Sequence, residues 1–127
     1  MSSSHLPSPL RSVLVIDDNI DAAQMLVEVL NVLGHTAAAA NNGKAGIALA
    51  LALQPDIIFL DIGMPDMDGF EVARSLRSFP QLDGVRIVAL TGWRDEQTLR
   101  LAADAGFDLH LTKPAPLAAI ADALELS

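Results

Sequence analysis

Five short apolar runs, each followed by a helical pattern, constrain this chain more than any other feature. Residues 12–16, 35–40, 56–60, 85–90 and 107–111 read as strands. Helical patterns follow at 20–33, 44–53, 70–78, 95–105 and 115–126. Strands alternating with helices of roughly 10–14 residues predict parallel pairing through right-handed crossovers. The expected fold class is therefore α/β, a doubly wound five-stranded parallel sheet in one domain.

Local chemistry supports these elements. Asn19 is an N-cap, and Ala22, Met25, Leu26, Val29, Leu30 and Leu33 form one apolar side of the first helix. Gly34 closes that helix as a C′ residue. Gln54-Pro55 ends the second helix, Gly106 ends the fourth, and Pro114 stands at the first turn of the fifth. The second strand carries four alanines, a composition best tolerated at a sheet edge. At 127 residues the chain fits a single domain over 11–127, with the Ser- and Pro-rich residues 1–10 expected to be a mobile leader. Nothing in that leader has the apolar run of a signal peptide, and no stretch is long enough to span a bilayer.

Charge and cysteine content exclude several functions. A net charge of −8 leaves few cations to neutralise phosphates, so direct nucleic-acid binding is not expected. The absence of cysteine removes disulfides, thiolate metal sites and thiol nucleophiles, and suits the cytoplasm.

Open sheets of this kind place their sites outside the carboxyl ends of the strands. The chemically unusual residues fall there. Strand one ends in Asp17-Asp18, strand three in Asp61 and strand four in Thr91, while strand five leads to Lys113-Pro114. Taken singly, each is ordinary: an Asp after a strand is usually a turn former. Together they are not. Carboxylates about 5 Å apart repel by roughly 3 kcal/mol per pair at an effective dielectric near 20. A divalent cation with open water positions removes that cost, and hard oxygen ligands suit Mg²⁺ or Mn²⁺. Asp17, Asp18, Asp61 and the backbone carbonyl of Gly63 are the candidate ligands. Asp61 is the candidate phosphoryl acceptor, Lys113 would pair with a phosphoryl oxygen, and Thr91 would donate a hydrogen bond to another.

These residues closely resemble the receiver domain of two-component response regulators. The resemblance rests on residues 15–19, on 60–69 with its Asp-x-x-Met-Pro-x-Met-Asp-Gly pattern, on 89–92, and on 105–108 with 111–114. It implies a flavodoxin-like sheet in the order 2-1-3-4-5, an order for which a member of this family is a standard example. It also implies a phosphoryl group taken from a phosphohistidine on a sensor histidine kinase or phosphotransfer protein, and a chain that is not a conventional enzyme. A downstream protein target, or an attached domain, would then read the phosphorylated state through the face of the fourth helix, fifth strand and fifth helix. The stretch 107–114 looks more like receivers attached to hybrid histidine kinases. At the family's aromatic switch position stands His110. Two positions that tune phosphoryl lifetime are Gly63, which has no side chain to orient water, and Trp93, which is bulky; slow self-dephosphorylation is expected.

Other readings are weaker. Asp66-Met-Asp-Gly69 resembles the start of haloacid-dehalogenase-type phosphatases, but there the motif follows directly on a strand, and here Gly63-Met-Pro65 intervenes. No calcium loop or P-loop is complete. A pseudo-receiver, a binding module with the fold but no phosphorylation, is the alternative from a different class. The expected chain has no room for an output domain, so a single-domain regulator and a piece of a larger protein both stay open.

Overall fold

The computed structural model describes residues 10–64, 68–92 and 96–125. Five strands and five helices alternate: β1 (Ser12–Ile16), α1 (Ile20–Val32), β2 (Thr36–Ala40), α2 (Gly43–Leu53), β3 (Ile57–Asp61), α3 (Gly69–Arg77), β4 (Arg86–Thr91), α4 (Glu96–Ala105), β5 (Leu109–Thr112) and α5 (Leu117–Glu125). A single 3₁₀ turn, Pro80–Leu82, joins α3 to β4. All strand pairs are parallel, and the sheet order is β2-β1-β3-β4-β5.

The continuous apolar strands are explained by burial on both faces. Leu14, Ile16, Ile58, Leu60 and Ile87 point to one layer, where they meet α2, α3 and the end of α4 through Ala50, Val72, Leu76 and Ala105. Val13, Val15, Phe59, Val88 and Leu90 point to the other, against Ala23, Val27 and Leu30 of α1 and Ile120, Ala123 and Leu124 of α5. The alanine strand β2 lies at the sheet edge and is only partly covered, as its composition suggests.

Several element boundaries differ from the sequence expectation. The third and fourth strands run one residue further, so Asp61 and Thr91 are strand residues rather than the residues that follow. The fifth strand starts at Leu109, because Asp108 is occupied elsewhere: its carboxylate accepts the Ile87 N–H at 2.8 Å and an Arg77 N–H at 2.7 Å. Arg77 also donates to the carbonyls of Gly106 and Val85, tying α3 to the start of β4 and the turn before β5. The fifth helix begins at Leu117, not Ala115. Pro116 disfavours helical geometry at Ala115, and its own carbonyl accepts the first N–H groups of the helix.

The apolar side of α1 is also rotated. Ala23, Val27 and Leu30 are the buried residues, while Met25 and Leu33 are exposed. Ala23, Val27 and Leu30 pack with Val13, Val15 and Phe59 of the sheet, so the buried stripe is displaced by about one residue, roughly 100° around the helix. Gly34 and Gly106 adopt positive φ, 97° and 103°, and end α1 and α4 as expected.

Candidate functional site

The sheet's order reverses at β1, with β2 on one side and β3 on the other, and the carboxyl ends of β1 and β3 meet there. Asp17 follows β1 directly and Asp61 closes β3. Both side chains are largely buried, while Asp18 is exposed. One carboxylate oxygen from each of Asp17, Asp18 and Asp61 lies within 4.8 Å of the others. The three acids named from the sequence therefore form one cluster.

Each is held by its neighbours. Asp17 Oδ1 accepts the Asn19 N–H at 3.0 Å, and Asp61 Oδ1 accepts the Gly63 N–H at 3.0 Å. Lys113, just beyond β5, donates from Nζ to Asp17 Oδ2 at 2.9 Å and stands 3.6 Å from Asp61 Oδ2. Its backbone N–H is bonded to the carbonyl of Thr91 at 2.8 Å, which anchors the lysine to the end of β4. Thr91 itself is buried, 2% exposed, on the same rim.

The electrostatics follow from burial and crowding. The Asp61 carboxyl is pushed up from 3.8 to about 6. Burial is the main cause, with the negative charge of Asp17 adding to it. The Gly63 hydrogen bond and Lys113 oppose the rise without cancelling it. Burial alone would lower Lys113, but its hydrogen bond to Asp17 and the charges of Asp61 and Asp17 outweigh that, so its pKa is raised and it stays protonated. Among the described residues, Lys113 thus sets one cation against Asp17 and Asp61, with Asp18 as a third carboxylate in the cluster. The remaining negative charge and the hard oxygen donors fit a divalent cation such as Mg²⁺.

Two other expected residues fall differently. His110 lies on β5 opposite Ala89 and is exposed. Trp93 lies outside the described residues, as do Pro65, Asp66 and Met67. Asp68, part of the phosphatase-like motif, is the N-cap of α3: its Oδ1 accepts the Glu71 N–H at 2.9 Å. That is an ordinary capping role.

Sequence reasoning missed two features. A groove of about 460 Å³ runs between α1 and α5 and opens on Asp17 and Lys113; the displaced α1 residues Ala22, Met25, Leu26 and Val29 line it opposite Ala115 and Ile120. Asn41, at the end of β2, donates from Nδ2 to the Asp17 carbonyl at 3.0 Å. The apolar side of the first helix read from the sequence supplies the α1 part of that groove lining. No local sequence signal marks the Asn41 contact, which depends on the pairing of β1 with β2.

Known proteins match this architecture and its residues. The response regulator receiver domain family model matches residues 13–125. The DNA-binding response regulator MtrA of Mycobacterium tuberculosis is 35% identical over 102 residues, which are 80% of this chain and 43% of MtrA. The chain thus spans less than half of that relative. Among solved structures, chemotaxis protein CheY4 of Vibrio cholerae superposes with a TM-score of 0.87 at 28% identity, covering 91% of this chain and 97% of CheY4. The receiver domain of Saccharomyces cerevisiae Ssk1, solved with the histidine phosphotransfer signaling protein Ypd1, has a TM-score of 0.83 at 27% identity, over 91% of this chain and 87% of that one. With its five parallel strands in the order 2-1-3-4-5 and its acids gathered at the carboxyl ends of β1 and β3, this chain belongs to the response regulator receiver domain family.

Proposed function

We propose that this receiver domain accepts a phosphoryl group on Asp61 from a phosphohistidine, in a reaction that depends on Mg²⁺ or Mn²⁺. The observation that carries the reading is the cluster of Asp17, Asp18 and Asp61, with Lys113 against Asp17 and Asp61. An Asp61 carboxylate oxygen attacks phosphorus as the phosphorus–nitrogen bond of the donor breaks. The leaving imidazole nitrogen keeps the electron pair, and the product is an aspartyl phosphate. Asp17, Asp18 and Asp61, with the carbonyl of Gly63, would hold the cation. When bound, it would offset the charge of the carboxylates and of the incoming phosphoryl oxygens.

The chain's own residues supply the rest. Lys113, held protonated between Asp17 and Asp61, is positioned to pair with a phosphoryl oxygen. Thr91, at the end of β4, would donate its hydroxyl to another. Asp61 is ionised above its pKa of about 6 and so is competent at neutral pH. The apolar groove opening on Asp17 and Lys113 suits the protein that carries the phosphohistidine, a sensor kinase or phosphotransfer protein, because a donor docked there would stand beside the acid cluster. Without a side chain at Gly63 to orient water, the aspartyl phosphate should persist for minutes or longer. Among the described residues no helix is long and apolar enough to cross a membrane.

Incubation with a small phosphodonor and Mg²⁺ tests this. Intact mass measurement should show one added phosphoryl group, lost in Asp61→Asn and in the presence of a chelator. A protein that never labels, with its fold intact, would instead be a pseudo-receiver binding module.

A further inference from the structure

The acids of the site come from β1 and β3, yet the loop that carries two of them is held from β2. Strand register pairs Ile16 with Ala40, so Asn41 stands beside Asp17. The Asp17 N–H donates to the Ala40 carbonyl at 3.0 Å, and the Asn41 side-chain amide donates to the Asp17 carbonyl at 3.0 Å. The Asp17 carbonyl and the Asp18 N–H belong to one rigid peptide unit. Fixing that oxygen fixes the plane that joins the two acids. The turn is short: α1 begins at Ile20, and Asn19 is already its cap, with Oδ1 accepting the Ala22 N–H at 3.0 Å. Asp18 is exposed, so packing does not orient it.

We propose that Asn41 is a positioning residue for the cation site, holding the Asp17–Asp18 peptide so that both carboxylates face the same point as Asp61. The idea rests on the proposed phosphoryl-accepting reading for its purpose and on the hydrogen bond for its mechanism. Residues that orient metal ligands without touching the metal typically contribute 10–100-fold in affinity. Asn41 acts through the ligand backbone, so the low end applies. Edge strand β2 then has a role its alanine sequence does not suggest: it contributes no acid, but it sets the direction of two.

The test compares wild type with Asn41→Leu, which keeps the side-chain shape but has no donor, and with Asn41→His, whose ring Nδ1–H sits at the same reach from Cβ. Calorimetric Mg²⁺ titration should show affinity about tenfold weaker for Asn41→Leu and largely restored in Asn41→His. In cation-free protein, hydrogen exchange at the Asn19 amide, which donates to Asp17 Oδ1, should speed up in Asn41→Leu, while the β3 and β4 amides keep their protection. Unchanged Mg²⁺ affinity in a folded Asn41→Leu would overturn the proposal, as would unchanged exchange at Asn19. If wild type bound no divalent cation, the phosphoryl-accepting reading would fall, and the exchange measurement would still decide whether Asn41 holds this peptide. Uniformly faster exchange across the sheet would mark Asn41 as a general stabiliser and overturn its specific role.

Discussion

Lys113 lies 2.9 Å from Asp17, a residue 96 positions earlier in the chain. The contact closes the rim between β1 and β5, the two strands separated by β3 and β4. It brings one ammonium to a buried carboxylate and leaves Asp61, 3.6 Å away, only partly compensated. The chemistry of the site follows from that imbalance.

The imbalance makes stability depend on pH. Asp61 titrates at about 6 in the folded chain against 3.8 ordinarily, so between these values the folded state binds more protons than the unfolded state. This contribution to stability is present at low pH and is lost as pH rises through about 6. Its size is at most about 3 kcal/mol, from roughly 1.4 kcal/mol per pKa unit. Asp61→Asn removes the charge. In cation-free buffer the variant should exceed wild type by about 2–3 kcal/mol at neutral pH, with the difference shrinking toward pH 4. Urea unfolding of both proteins across that range checks it, and an equal offset at every pH would contradict the assignment.

Replacing Lys113 by Met separates binding from transfer. The buried Asp17 loses its cationic partner, so cation-free stability should fall by about 2 kcal/mol, reduced from a fully buried pair because the lysine is partly exposed. Mg²⁺ affinity should hold or rise, since a competing positive charge is gone. Labelling by a small phosphodonor should slow at least about tenfold, because a charge-assisted contact to the phosphoryl oxygen is missing. Calorimetry and time-resolved mass measurement report the two effects independently.

Gly69 carries a steric demand readable in the backbone. A Cβ there would lie 2.6 Å from Ile62 Cα and 2.8 Å from the Asp61 carbonyl oxygen, both unyielding main-chain atoms. The Gly69 N–H also donates to the Ile62 carbonyl at 3.0 Å, so the loop after the phosphoryl acceptor and the start of α3 are pressed together. Gly69→Ala should cost about 1–3 kcal/mol, measured by chemical denaturation. A neutral substitution would mean that α3 can shift away from β3.

Arg77 links three segments with one guanidinium, bonding the carbonyls of Val85 and Gly106 and the carboxylate of Asp108. Arg77→Met should destabilise the domain by about 2–3 kcal/mol through its lost hydrogen bonds. Arg77→Lys should recover little of this, because an ammonium cannot reproduce the planar fork. Denaturation midpoints of the two variants test the point.

The sequence by itself determined the alternation of strands and helices, the edge position suited to the alanine strand, and the acids, threonine and lysine that end or follow four strands. Those signals are local: periodicity, caps and strand-terminal residues are written in neighbouring positions. The tertiary structure decided what depends on residues far apart in the chain. It rotated α1 so that Ala23, not Met25, meets the sheet, and it moved the start of α5 past Pro116. It set Asn41 against Asp17 through the register of β1 and β2, and it raised the pKa of Asp61 by burying it beside a second carboxylate. Register and desolvation arise only when the strands assemble into a sheet, because each depends on which distant segment comes to lie next to a given residue.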